Sequence, residues 1–161
     1  MQNILVIRFS ATFGTKLITS KFDKLSRIAG GTEEVNRKIS ISLYGWTIRN
    51  FNRKGSGVSE SIPWAPLSPA TIKRKAKLGK TQMLVISGNL RQSFNPFFDS
   101  KSAGVGAQAS AFKGSSGDYA LYLHEGTKNM PARNLLPTEQ AAKNIAHDVY
   151  NVALSKIIDG N

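Results

Sequence analysis

The sequence predicts a single domain of the α+β class, with a small antiparallel sheet, three to four helices and a long amphipathic helix at its C-terminal end. Three observations lead to this prediction. The chain has 161 residues, a usual length for one domain. Short β-rich runs are bounded by turn-forming residues, and longer segments carry apolar residues at helical spacing. Strands and helices do not alternate as βαβ units, which argues against a parallel sheet.

The first third of the chain predicts one strand and two helices. Asn3 to Phe9 is β-rich and apolar on both faces, as in a short buried strand. Apolar residues then recur every three to four positions over residues 15–29, which indicates a helix. Thr32 is suited to cap a second helix, whose apolar stripe runs from Val35 to Trp46. Residues 39–43 also alternate in polarity, so a strand is the alternative there, although the wider window favours helix.

The middle of the chain combines loops with one short helix. Two segments rich in glycine and serine, 52–62 and 112–118, predict exposed and mobile loops. Between them, Pro69 is suited to the first turn of a helix, because proline lacks the N–H that a first turn leaves unpaired. We expect that helix to extend from 70 to 78.

A hairpin and two helices are predicted in the remainder. Phe94 to Asp99 and Ala103 to Ala109 read as antiparallel strands joined by a turn at 99–102. Tyr119 to Glu125 predicts one or two helical turns. Thr138 caps the last helix, whose apolar stripe continues to Ile157, and Gly160 ends it.

The charge of the chain is high and unevenly distributed. The formal net charge is +12, from 22 basic and 10 acidic residues. Residues 1–62 carry +6, residues 63–113 carry +7 and residues 114–161 carry −1. Such a field favours contact with a polyanion or an acidic protein surface. Cysteine is absent, which excludes disulfides, thiolate zinc sites and cysteine nucleophiles. No apolar run is long enough for a membrane helix, so no membrane partner is expected.

The densest positive charge lies in residues 71–80, which hold five cations and no acid: Lys73, Arg74, Lys75, Lys77 and Lys80. Like charges one turn apart destabilise an exposed helix, so the segment is expected to bind a partner. That partner is either phosphate or an acidic protein surface; a solvated face without a partner is the alternative. Interleaved aromatic residues are absent here, which argues against single-strand binding. Base-reading side chains are also absent, which argues against sequence-specific DNA binding.

Catalytic patterns are weak in this sequence. His124 and His147 are the only histidines, and the acidic residue next to each diverges by about 100° on a helix. Gly104 to Ala109 imitates a dinucleotide-binding fingerprint, but a loop follows it where a helix is required. No enzymatic activity, cofactor or metal is expected. The alternative enzyme would be built on His124, Glu125 and Arg133.

Two stiff loops carry large side chains. Trp64 lies in a proline-punctuated loop, 63–69, either as a core residue beneath a chain crossing or as an anchor for a partner. Arg133 stands among apolar residues in a second loop, 130–137, where it can pair with a carboxylate or lie at an interface.

Five short motifs follow one another from Trp64 to Arg133, within a stretch of roughly residues 35–158. Their residues are Trp64, Pro66, Leu67, Ser68 and Thr71; Gly88 and Leu90; Val105 and Gly106; Tyr119, His124 and Gly126; and Pro131, Ala132 and Arg133. This order resembles the phage virion morphogenesis family, the tail-completion proteins of contractile-tailed phages and prophages. The chain departs from the family pattern after Arg133, where Asn134 and Leu135 replace a proline and an aromatic residue.

The resemblance implies a structural virion protein of the head–tail junction, acting as a tail-completion, tail-terminator or neck protein and not as an enzyme. Such a protein is made in the cytoplasm of the host bacterium. It oligomerises as a ring, often sixfold, and docks to tail tube, terminator and head–tail connector proteins. A ring around DNA would also make nonspecific contact with DNA in transit through a positive lumen. A nonspecific nucleic-acid-binding module is the alternative.

Overall fold

The structure, a computed structural model, describes residues 6–9, 32–80, 83–84, 88–107 and 119–158. The strands are β1 (Val6–Phe9), β2 (Phe94–Phe98) and β3 (Ala103–Ala107), and the helices are α1 (Thr32–Arg53), α2 (Pro69–Lys77), α3 (Asn89–Gln92), α4 (Tyr119–Glu125) and α5 (Glu139–Ile158). The sheet order is β1-β3-β2, with both pairs antiparallel. The α+β class, the small antiparallel sheet and the long C-terminal helix are therefore confirmed. The described residues contain five helices, because a single turn, α3, follows Gly88.

Helix α1 crosses the sheet and contacts α5. Its predicted apolar stripe is buried, with Ile39 and Leu43 at 3% and 1% exposure. The helix is continuous through these residues, so the strand alternative at 39–43 is wrong. Burial of one helix face over several turns favours a helix more strongly than five residues of alternating polarity favour a strand.

The predicted hairpin is confirmed, with its turn at residues 99–102. The Asp99 carboxylate accepts hydrogen bonds from the backbone N–H groups of Lys101 and Ser102 at 2.6 and 2.7 Å. The Asp99 carbonyl accepts a hydrogen bond from the Asn36 side chain at 2.8 Å, which joins the turn to α1. Local and long-range bonds therefore hold this turn in the same place.

The core lies between the sheet, α1 and α5. Every residue of β3 is buried, and its small side chains allow close packing on both faces. Leu135 and Leu136, which precede α5, have no exposed surface. The predicted cap of α5 is confirmed, since the N–H of Ala141 donates to Thr138 Oγ1 at 3.1 Å.

The segment after α1 is fastened to the body of the protein. Trp46 Nε1 donates to the carbonyl of Ser59 at 2.9 Å, and the side chain of Val58 is buried beside Trp46. Gly55 has φ 77°, and a Cβ there would lie 2.1 Å from the carbonyl oxygen of Ile62. Most side chains of this loop are exposed, as predicted; its mobility stays a prediction.

Several sequence predictions lie outside the described residues. They are the first part of the N-terminal strand, the helix over 15–29, the last two residues of the second hairpin strand, the loop at 112–118 and the end of the last helix at Gly160.

Candidate docking surface

Helix α2 begins and ends as its sequence predicts. Pro69 occupies the first turn, and Ser68 caps the helix by accepting a hydrogen bond from the N–H of Thr71 at 3.3 Å. Gly79 follows the helix with φ 64°. The helix packs only marginally against the other helices and strands of the described residues. Its orientation therefore depends on the loops at its two ends.

The structure separates the five predicted cations into two groups. Lys73, Arg74, Lys77 and Lys80 are exposed, whereas Lys75 is only 4% exposed. With 3.6 residues per turn, Lys75 points about 160° away from Lys73 and Lys77, so it faces the protein when they face solvent. Lys75 is therefore removed from the predicted partner-binding set, while the other four cations remain accessible.

The cations of this segment influence one another. Burial lowers the pKa of the Lys75 amine, and the positive charges of Arg74 and Lys80 lower it further. The ion pairs among the described residues lie within α1 and α5, joining Glu34 to Arg37 and Lys38, and Glu139 to Lys143. The four exposed cations of this segment thus have no acidic partner in the described part of the chain.

Apolar side chains lie beside these cations. Ile72 is 53% exposed, and Ala76, one turn further along, is also exposed. Together with Lys73 and Lys77 these residues occupy an arc of roughly 140° of the helix surface. We call these four residues the α2 face. It joins an apolar strip to a cationic strip, and Leu78, which is 55% exposed, follows at the end of the helix.

The two stiff loops predicted from the sequence meet at the base of α2. The Arg133 guanidinium is 4% exposed and donates to the carbonyls of Ala65 and Pro66 at 3.3 and 3.5 Å and to that of Pro131 at 3.4 Å. Arg133 Nε is buried and has no hydrogen-bond partner in the described part of the structure. Arg133 therefore joins the loops through backbone carbonyls, and no carboxylate among the described residues pairs with it.

Trp64 is a core residue, one of the two roles open to it from the sequence. Its ring is 7% exposed and meets Phe51 edge to face at a centroid distance of 5.3 Å. Its Nε1 donates to the carbonyl of Asn134 at 3.1 Å. The indole thus fills the space between α1 and the second loop and bonds to that loop.

His124 also stabilises the second loop. Its Nδ1 accepts a hydrogen bond from the N–H of Leu135 at 3.1 Å, and burial lowers its pKa although the Glu125 carboxylate opposes the shift. Gly126 turns the chain with φ 80°, where a Cβ would lie 2.6 Å from the nitrogen of Ala132. The features of the alternative enzyme, His124 and Arg133, both bond to the backbone in this structure.

The remaining motif residues are dispersed. Leu90 and Val105 are core residues, and Gly88 precedes α3 with φ 86°. Tyr119 begins α4. Among the exposed or partly exposed motif residues, Pro66, Leu67 and Ser68 lie in the first loop, Thr71 lies in α2, and Pro131 and Ala132 lie in the second loop. The two stiff loops and the side chains that bond to them therefore form the framework at the base of α2.

Three polar residues of this framework were missed in the sequence. Asn50 donates to the Asn134 carbonyl that Trp64 also uses, and Asn50 Oδ1 accepts a hydrogen bond from Ser61 Oγ at 2.7 Å. Asn50 has no exposed surface. A signal existed for Asn50, because it follows Leu43 by seven residues on the buried side of α1. Neither Ser61 nor Asn134 lies in a periodic segment.

The described ranges contain no group of three or more metal-ligating side chains. None of their helices has the length and apolar character needed to cross a bilayer. Comparison of the chain with known protein families, with curated proteins and with solved structures finds no match.

Proposed function

We propose that the protein is a structural component of a phage virion, which acts at the head–tail junction by oligomerising and by docking to tail and connector proteins. The observation that supports docking is the α2 face, where Ile72 and Ala76 lie beside Lys73 and Lys77, two cations with no acidic partner among the described residues. Burying such a surface against a partner removes apolar area from water and neutralises charge.

The site of assembly follows from the resemblance described above. Part of the motif residues that carry it lie in the two loops at the base of α2, which the bond from Arg133 to Ala65 joins. In this framework the side chains of His124 and Arg133 bond to the protein backbone, which suits a docking protein better than an enzyme. The proposal includes synthesis in the host cytoplasm and incorporation into the virion.

Deletion of the coding sequence from the phage or prophage tests this proposal. Electron microscopy of the lysate should show filled heads and completed tails that fail to join, and a wild-type copy supplied in trans should restore joining. Replacing Lys73, Arg74, Lys77 and Lys80 by Gln should restore joining poorly, whereas the same change at the exposed Lys101 and Lys128 should restore it fully. Normally joined particles from the deletion strain would refute the proposal.

A second candidate function is nonspecific nucleic-acid binding, because the same four cations suit a phosphate backbone. Mobility-shift titrations with double-stranded DNA over a salt series test it. A phosphate-binding surface loses affinity steeply as salt rises, with a log–log slope of about −0.9 for each phosphate neutralised. If no shift occurs at about 50 mM salt, nucleic-acid binding is rejected and the cations are assigned to a protein partner.

A further inference from the structure

The chemistry of the α2 face indicates what kind of surface it fits. Positive charge strengthens binding to a phosphate backbone, whereas an exposed isoleucine contributes little to it. A protein interface uses both kinds of side chain. Apolar side chains at the centre of the contact are removed from water, and charged side chains near its edge set the orientation. The strip formed by Ile72 and Ala76 therefore favours a protein partner that offers an apolar side chain beside a carboxylate.

The chain itself carries such a surface on α5. Asp148 is exposed, and Val152, one turn further along the helix, is 58% exposed. Asp148 differs from Glu139 of the same helix, which pairs with Lys143 at 2.5 Å. Among the described residues Asp148 has no ion pair. We call Asp148 and Val152 the α5 face.

The two faces complement each other and neither complements itself. A contact between two α2 faces would oppose Lys73 and Lys77 to their copies, which costs energy through like-charge repulsion. The segments that carry the faces differ in the same sense, since residues 63–113 hold +7 and residues 114–161 hold −1. No ion pair joins α2 to α5 within the described part of one chain.

We propose that the α2 face of one copy docks on the α5 face of a second copy. Ile72 and Ala76 pack against Val152, and Lys73 or Lys77 pairs with Asp148. Because the contact uses two different surfaces, it is heterologous, and repetition builds a closed ring or an open filament. This inference deepens the proposed function and rests on its premise that α2 is a docking element; it names the partner of that element as another copy of the chain.

Two complementary variants test the contact. One carries Ile72→Ser with Lys77→Gln and loses the α2 face; the other carries Asp148→Asn with Val152→Ser and loses the α5 face. All four positions are exposed, so both variants should fold, which circular dichroism and thermal unfolding check. Sedimentation velocity and native mass spectrometry then give the mass of each variant alone and of an equal mixture.

The wild-type chain should form assemblies larger than a dimer, and each variant alone should remain a monomer. The mixture should stop at a heterodimer, because only one functional α2 face and one functional α5 face remain to pair. A chain with Lys77→Glu and Asp148→Lys alone should recover most of the association, since the charges are exchanged. Matched control changes at the exposed Lys101 and Lys128 should leave the assembly unchanged.

Three results would overturn the inference: a wild-type chain that stays monomeric at about 100 µM, a single variant that still assembles, or association that requires added double-stranded DNA. None of these refutes a role at the head–tail junction, which the microscopy of deletion particles decides separately. Conversely, a head-to-tail assembly from a chain whose deletion leaves virions intact would keep this contact and reject the proposed function.

Discussion

The Trp64 side chain packs on Phe51 and also donates a hydrogen bond to the second loop. We expect Trp64→Ala to lower the free energy of unfolding by about 3–5 kcal/mol, since it leaves a cavity beside Phe51. Trp64→Phe keeps most of the ring contact and loses only the Nε1–H donor, so it should cost less. Urea denaturation measures both. An unchanged midpoint for Trp64→Ala would contradict a core role.

His124 gives the protein a pH dependence whose sign follows from its environment. Burial lowers its folded-state pKa, so the unfolded chain binds the proton more readily and stability falls as pH drops below about 6.5. Protonation at Nδ1 would also remove the acceptor of the Leu135 N–H. His124→Asn supplies a non-titrating oxygen near that position.

Thermal unfolding at pH 7 and pH 5 measures this contribution. The wild-type chain should lose more stability over that interval than His124→Asn. His124→Leu should be destabilised by about 1–3 kcal/mol at pH 7, because a buried N–H loses its partner, and by less at pH 5, where the wild-type chain is itself destabilised. Equal losses for the wild-type chain and His124→Asn would show that His124 does not set the pH response.

At the scale of single elements, α2 contrasts a buried cation with exposed ones. Lys75→Ala removes a buried stem and should cost roughly 1–3 kcal/mol, whereas Lys77→Ala, on the opposite side, should change stability by no more than about 0.5 kcal/mol. Chemical denaturation of the two variants measures the difference. Similar costs at both positions would mean that α2 does not hold the orientation described here.

The same scale shows what the sequence could predict and what it could not. The stripe of α1 and the Asp99 turn are local patterns, and both predictions are confirmed. The inward position of Lys75 was not predictable, because α2 is oriented by loops rather than by an apolar face of its own. The bond from Arg133 to Ala65 spans 68 residues and joins two irregular segments, so no periodicity announces it.

At the scale of the whole molecule, the uneven charge has a structural counterpart. The cations that the sequence placed in one run are divided between the interior and the surface, so four of the five remain for a partner. Of the motif residues on which the resemblance rests, Trp64 and Leu90 lie in the core and Arg133 joins the two loops. The run of cations in the sequence therefore indicates the candidate docking helix, whereas its apolar strip follows only from the exposure of Ile72 in the structure.

Whole-molecule cooperativity depends on contacts between distant segments, of which Asn50 provides the clearest. Its side chain bonds to Asn134 and Ser61, joining α1 to the second loop across 84 residues and to the segment after α1 across 11 residues. Asn50→Ala leaves the Ser61 hydroxyl and one Asn134 interaction unpaired, which should cost about 1–3 kcal/mol. Because Asn50 joins segments that are distant in the sequence, this substitution should destabilise the entire domain rather than α1 alone.

Two probes follow this cooperativity. Fluorescence reports Trp46 and Trp64, which lie in and just after α1, while far-ultraviolet circular dichroism reports all helices, including α5. In urea the two probes should give one coincident transition for the wild-type chain, as for a two-state domain, and one coincident, earlier transition for Asn50→Ala. Ser56→Ala, at an exposed side chain of the neighbouring loop, should leave the midpoint unchanged. Separate transitions would mean that the chain folds as two units, because a single junction-dependent domain cannot lose α1 and retain α5.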